Sequence, residues 1–81
     1  MKLKKSFGKR HGYGKNIHVA FLIETMYRRR AGAVMEIFIE ATVDGDGIRH
    51  ISLRENGTSN LLSINQIDEF SLYELILKQL E

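Results

Sequence analysis

Hydrophobic and polar positions alternate most regularly in the stretch VMEIFIEATV, Val34 to Val43. Met35, Ile37, Ile39, Ala41 and Val43 fall on one phase, with Glu36, Glu40 and Thr42 on the other. A period of two with one apolar face is what a half-buried antiparallel strand requires. The next four residues, DGDG, are turn formers, and IRHISLRE follows with Ile51 and Leu53 on a single phase. Asn56-Gly57 then predicts a two-residue hairpin, because a type I′ turn needs positive φ at both central positions. That turn would set Ile51 opposite Leu62 and Leu53 opposite Asn60, making TSNLLSI the return strand.

Toward the C-terminus the period changes to that of a helix. Leu72, Leu75, Ile76 and Leu80 line up as one apolar stripe. Ser71 and Glu74 have capping-box spacing, and Phe70 precedes them where it can staple onto Leu75.

The segment NIHVAFLIETMYRRRAG, Asn16 to Gly32, satisfies both periods. As a helix it carries Val19, Leu22, Ile23, Met26 and Tyr27 on one stripe, with Asn16 as its cap and Gly32 at its end. Three arginines in the last turn suit the dipole, and Glu24 to Arg28 is a favourable i,i+4 pair. As a strand it alternates through Ile17, Val19, Phe21 and Ile23. The helix, with both ends signalled, is the preferred reading. The expected fold is therefore α+β: a small antiparallel sheet of three strands, or four, covered by a C-terminal helix in the order α-β-β-β-α. The strand reading gives a four-strand meander followed by a helix.

Residues 1–15 lack apolar periodicity and hold three glycines, so they read as a flexible basic arm ahead of a single domain over residues 16–81. Eighty-one residues allow one domain with a small core. The chain has no cysteine, hence no disulfide and no thiolate site, which suits a reducing compartment. Ser6 to Lys15 is polar where a signal peptide would be apolar. The longest apolar run, Val19 to Ile23, is far short of the ~20 residues that span a bilayer. A cytoplasmic protein without a membrane span is expected.

Charge changes the picture most. Residues 1–30 hold nine Lys/Arg and one acid, whereas residues 31–81 hold three Lys/Arg and nine acids. Such asymmetry points to a polyanionic partner or to association with an acidic surface.

Familiar chemistries fail on their own requirements. Gly8 and Gly14 with Lys15 imitate a phosphate loop, but their spacing is wrong and Asn16 stands where Ser or Thr holds magnesium. Asp44, Asp46 and Glu55 imitate a calcium loop whose fifth and sixth positions, Ile48 and Arg49, lack the ligand and the glycine. His11, His18 and His50 match no metal spacing, and no catalytic triad is recognisable. Asn56-Gly57-Thr58 is formally a glycosylation sequon and reads here as a turn. No cofactor is implied and no enzyme is expected.

The basic residues remain. Lys4, Lys5, Lys9, Arg10, Tyr13 and Lys15 on the arm, together with Phe7, combine point charges and stacking rings. Arg28, Arg29 and Arg30 add guanidinium forks on the folded body. The reading is a small non-enzymatic nucleic-acid-binding protein, DNA or RNA, in which arm and arginine cluster hold phosphates. The rival is a protein-interaction module docking through its charged faces, and a weaker alternative is an anionic lipid surface met by a basic helix over residues 17–30. A thin sheet leaves apolar surface and edges uncovered, so a homodimer is expected. The α-β-β-β-α order resembles that of double-stranded RNA-binding domains. Their last helix starts with lysines; here it begins SLYELILK with Glu74, and no residues carry over.

Overall fold

The structure, a computed structural model, describes residues 1–26 and 34–81. Four strands, β1 (Lys2–His11), β2 (Ile17–Thr25), β3 (Met35–Asp44) and β4 (Gly47–Glu55), form one antiparallel sheet in chain order. A helix, α1 (Glu69–Lys78), follows a 3₁₀ turn at Ile64–Gln66. The molecule is thus a small α+β fold with a four-stranded antiparallel sheet and one C-terminal helix.

The chain opens on a strand, which corrects both the α-β-β-β-α order and the flexible arm. Residues 2–11 pair with β2 through two irregularities, between Leu3 and Lys5 and between Ser6 and Lys9. Each inserts an extra residue and reverses which side chains face the core. Leu3, Ser6 and Lys9 consequently share one face, opposite Ile23, Phe21 and Val19. Gly8, at φ +82°, serves the second bulge, where a side chain would be strained. β1 is also tied to the end of α1: the Ser6 hydroxyl donates to Gln79 Oε1 at 2.5 Å, and Lys9 Nζ donates to the Leu80 carbonyl at 2.6 Å. A cation there complements the negative end of the helix.

The expected helix over 17–30 is instead β2 as far as Thr25. Nine consecutive residues pair with β3, from Ile17 opposite Val43 to Thr25 opposite Met35. The physical reason is Phe21. The helical stripe leaves it off the apolar face, while the strand places Val19, Phe21 and Ile23 together in the core, all fully buried. The rest of that expected helix, with Tyr27, Arg28, Arg29 and Arg30, lies outside the described residues.

β3 buries Ile37, Ile39, Ala41 and Val43, the phase read from the sequence. Asp44 pairs with Gly47 across Gly45-Asp46, so DGDG is the β3–β4 hairpin. The four-strand meander therefore forms, but its extra strand is β1 and not TSNLLSI. Thr58 N–H closes a turn onto the Glu55 carbonyl around Asn56-Gly57. The chain beyond it makes only one bridge, Arg54 to Leu61, with Leu62 N–H bonded to the Leu53 carbonyl. This register is offset from the expected pairing because Thr58 and Ser59 stay in the loop.

α1 covers one sheet face. Leu72 and Ile76 are fully buried against Val19, Phe21, Ile23, Ile37, Ile39 and Leu53. Each such side chain contributes about 1.5–3 kcal/mol of burial. The cap differs from the expected box: Asp68 accepts from Ser71 N–H at 3.3 Å and from the Ser71 hydroxyl at 2.7 Å. The helix starts three residues earlier than Ser71 as cap would give, and Phe70 is 74% exposed rather than stapled. No helix among the described residues is long and apolar enough to cross a membrane.

Candidate functional site

With α1 on one face, the opposite face of the sheet is left open. Strand alternation and register decide which side chains stand there. β1 supplies Lys2 opposite Glu24, Lys5 opposite Leu22, and Arg10 opposite His18. β2 supplies Ala20 opposite Glu40, and Leu22 opposite Phe38. β3 adds Phe38 opposite Arg54, and Glu40 opposite Ser52.

Two phenylalanines hold the middle of this face. Phe7 and Phe38 meet edge to face, with centroids 5.6 Å apart and planes at 62°. They sit on β1 and β3, roughly 10 Å apart as strands, and reach each other across β2, where Ala20 lines the hollow beside them. Each ring carries a cation. Lys5 Nζ lies 5.1 Å from the Phe7 centroid, and Arg54 Cζ lies 4.9 Å from that of Phe38. Cation–π attraction of this kind holds a charge over a ring face without neutralising it.

The pairing of these charges is uneven. Lys4, the extra residue of the first bulge, reaches Glu24 at 3.2 Å, and His18 Nε2 lies 3.5 Å from Glu40. Among the described residues Lys2, Lys5, Arg10 and Arg54 have no carboxylate partner. Arg54 Nε is buried against the sheet with no hydrogen-bond acceptor among the described residues.

A hollow of about 240 Å³ opens on this face, lined by Phe7, Gly8, Arg10, His18, Ala20, Phe38 and Glu40. A larger groove of about 660 Å³ runs between β4 and α1, lined by Ile48, Ile51, Ile64, Tyr73 and Leu77 with Arg49 and His50. Its one guanidinium is engaged: Arg49 Nε donates to Asp44 at 2.6 Å and Arg49 Nη2 to Asp46 at 2.7 Å. That contact, with the Asp46 backbone N–H, holds the Asp44 carboxyl below the ordinary aspartate value. Ser71 lowers Asp68 in the same way, and the charge of Glu69 raises the Tyr73 phenol. The smaller hollow holds Arg10 and His18 beside Glu40, whereas the guanidinium of the larger groove is already engaged.

The residues singled out from the sequence divide. Lys4, Lys5 and Arg10 come together on the open face, Lys4 engaged by Glu24. Lys9 faces the other way, onto α1. Tyr13 and Lys15 sit in the β1–β2 turn, Tyr13 being 95% exposed. Arg28, Arg29 and Arg30 lie outside the described residues. Sequence reading missed Phe38, Arg54 and Ala20. The available signal was Phe38 itself, an aromatic on the polar phase of β3 between Glu36 and Glu40.

Among the described residues no group of three His, Asp or Glu side chains is placed to hold a metal. No family model matches this chain, and neither a curated protein nor a solved structure matches it.

Proposed function

We propose that this chain is a small non-enzymatic nucleic-acid-binding protein of the cytoplasm, and that the open face of its sheet is the binding surface. The observation that carries the reading is the pair of guanidiniums, Arg10 and Arg54, that have no carboxylate partner among the described residues and stand on either side of the Phe7–Phe38 contact. Arginine meets phosphate oxygens with two parallel donors, and the aromatic centre between them suits the faces of bases. Lys2 and Lys5 extend the same positive rim. Lys9 belongs to the fold, while Tyr13, Lys15 and the arginines at 28–30 are auxiliary contacts in this reading.

Fluorescence anisotropy with labelled DNA and RNA tests it. Log K falls linearly with log salt, and removing two phosphate contacts makes the slope shallower by about 1.4 to 1.8 units. Arg10→Ala with Arg54→Ala is expected to produce that change. Absence of binding at low salt overturns the reading.

The rival, a protein-interaction module, has one observation of its own. Phe70, Tyr73 and Leu77 are exposed at i, i+3 and i+7 along α1, an unpartnered stripe that a second copy would cover in a symmetric dimer. Light scattering at two protein concentrations decides on the dimer. A pull-down that survives nuclease treatment would favour the rival.

A further inference from the structure

The open face carries a carboxylate that phosphate binding alone does not account for. Glu40 lines the hollow above Ala20, together with Phe7, Phe38, Arg10 and His18. Glu24 is engaged by Lys4, while Glu40 has only His18 Nε2, 3.5 Å from its Oε2. On a surface that holds polyanions a second carboxylate at the centre is repulsive, unless it accepts hydrogen bonds from the ligand.

Resting on the function proposed above, we propose that this hollow captures one unpaired nucleobase bearing an exocyclic amino group. The fit has three parts. A volume of about 240 Å³ equals the share of roughly eight liquid waters, room for a flat heterocycle. Phe7, 52% exposed, and Phe38 offer ring surface at its wall, and base–aromatic stacking needs an unstacked base. Glu40, its side chain 44% exposed, is an acceptor at the rim, matched to the amino donor of cytosine or adenine. The phosphates on either side of the seated base meet Arg10 and Arg54, and the charge of those arginines compensates that of Glu40.

A duplex cannot enter this way, since the faces of its bases are stacked on one another. Single strands are therefore the preferred ligand. Among them oligo-dC and oligo-dA are preferred over oligo-dT, because thymine has no exocyclic amine to donate to Glu40.

The experiment is a set of anisotropy titrations of the full chain against dC, dA and dT oligomers and a duplex of equal length, at one fixed salt concentration. Oligo-dC and oligo-dA are expected to bind tighter than the duplex. Phe7→Ala is expected to weaken single-strand binding by roughly 5- to 150-fold. Phe38→Ala should do the same where circular dichroism shows it folded. Glu40→Ala, which removes the acceptor, should erase the preference for dC over dT. Equal affinity for duplex and single strand, with no effect of Phe7→Ala, overturns base capture and leaves phosphate binding standing. Failure to bind any of the four overturns both.

Discussion

Phe7 of β1 touches Phe38 of β3 edge to face, 5.6 Å between centroids, across the full width of β2. Phe38 lies opposite Leu22 on β2, and the small Ala20 lines the hollow beside the two rings. Filling that position is the most local perturbation of the face. Ala20→Leu is expected to leave the fold intact, since Ala20 points away from α1. It should weaken single-strand binding about tenfold or more by closing the hollow and displacing stacking surface. Circular dichroism and anisotropy on the same sample check the two halves of this expectation.

Gly8 sets which β1 side chains reach that face. Its φ of +82° lies in the left-handed region, and an added Cβ would meet no atom within 4 Å. The cost of Gly8→Ala is therefore backbone strain alone, about 1–2 kcal/mol. Urea denaturation should show that loss. Relaxation of the bulge would also turn Phe7 and Arg10 out of phase, so affinity should fall with it.

Ile39 is fully buried between β2, β4 and α1. Ile39→Ala is expected to cost about 2–5 kcal/mol, a large part of the stability of an 81-residue domain. The urea midpoint should move sharply down with an unchanged slope.

Two carboxyls contribute to the acid limb of stability. Asp44 is held below the ordinary aspartate value by Arg49, and Asp68 by Ser71. A lowered folded pKa contributes stability that is present above the unfolded value and lost as pH falls through the folded one. The thermal midpoint is expected to be flat near neutrality and to fall below about pH 4. Asp68→Ala should reduce that acid dependence and fray the start of α1; a profile identical to wild type would contradict the capping role.

The parts of the fold that could be read from the sequence are those where one period acts without interruption. β3 keeps its alternation from Met35 to Asp44, and α1 keeps Leu72, Leu75 and Ile76 on one side. β2 was ambiguous because Val19 and Ile23 belong to both stripes, and only tertiary pairing, which buries Phe21, decides between them. β1 was illegible because two bulges put Leu3, Ser6 and Lys9 on one face at intervals of three, a spacing with no strand signature. Its glycines, which looked like flexibility, include the one that makes a bulge. The start of α1 was misplaced because Asp68 and Ser71 are both good caps three residues apart, and Asp68 takes the role while Ser71 bonds to it. At the site, charge alone pointed to Lys4, Lys5 and Arg10. Arg54 and Phe38 came to light only through register, since they lie sixteen residues apart and face each other across β3 and β4.

The central claim is that the face opposite α1 grips nucleic acid. The most direct measurement is a ¹H–¹⁵N correlation spectrum of the labelled chain titrated with a single-stranded oligo-dC. The account predicts shifts concentrated at residues 5–10, 18–22, 38–42 and 52–54, with Leu72 and Ile76 unmoved. Shifts concentrated instead at Phe70, Tyr73 and Leu77, or none at saturating oligonucleotide, would contradict it.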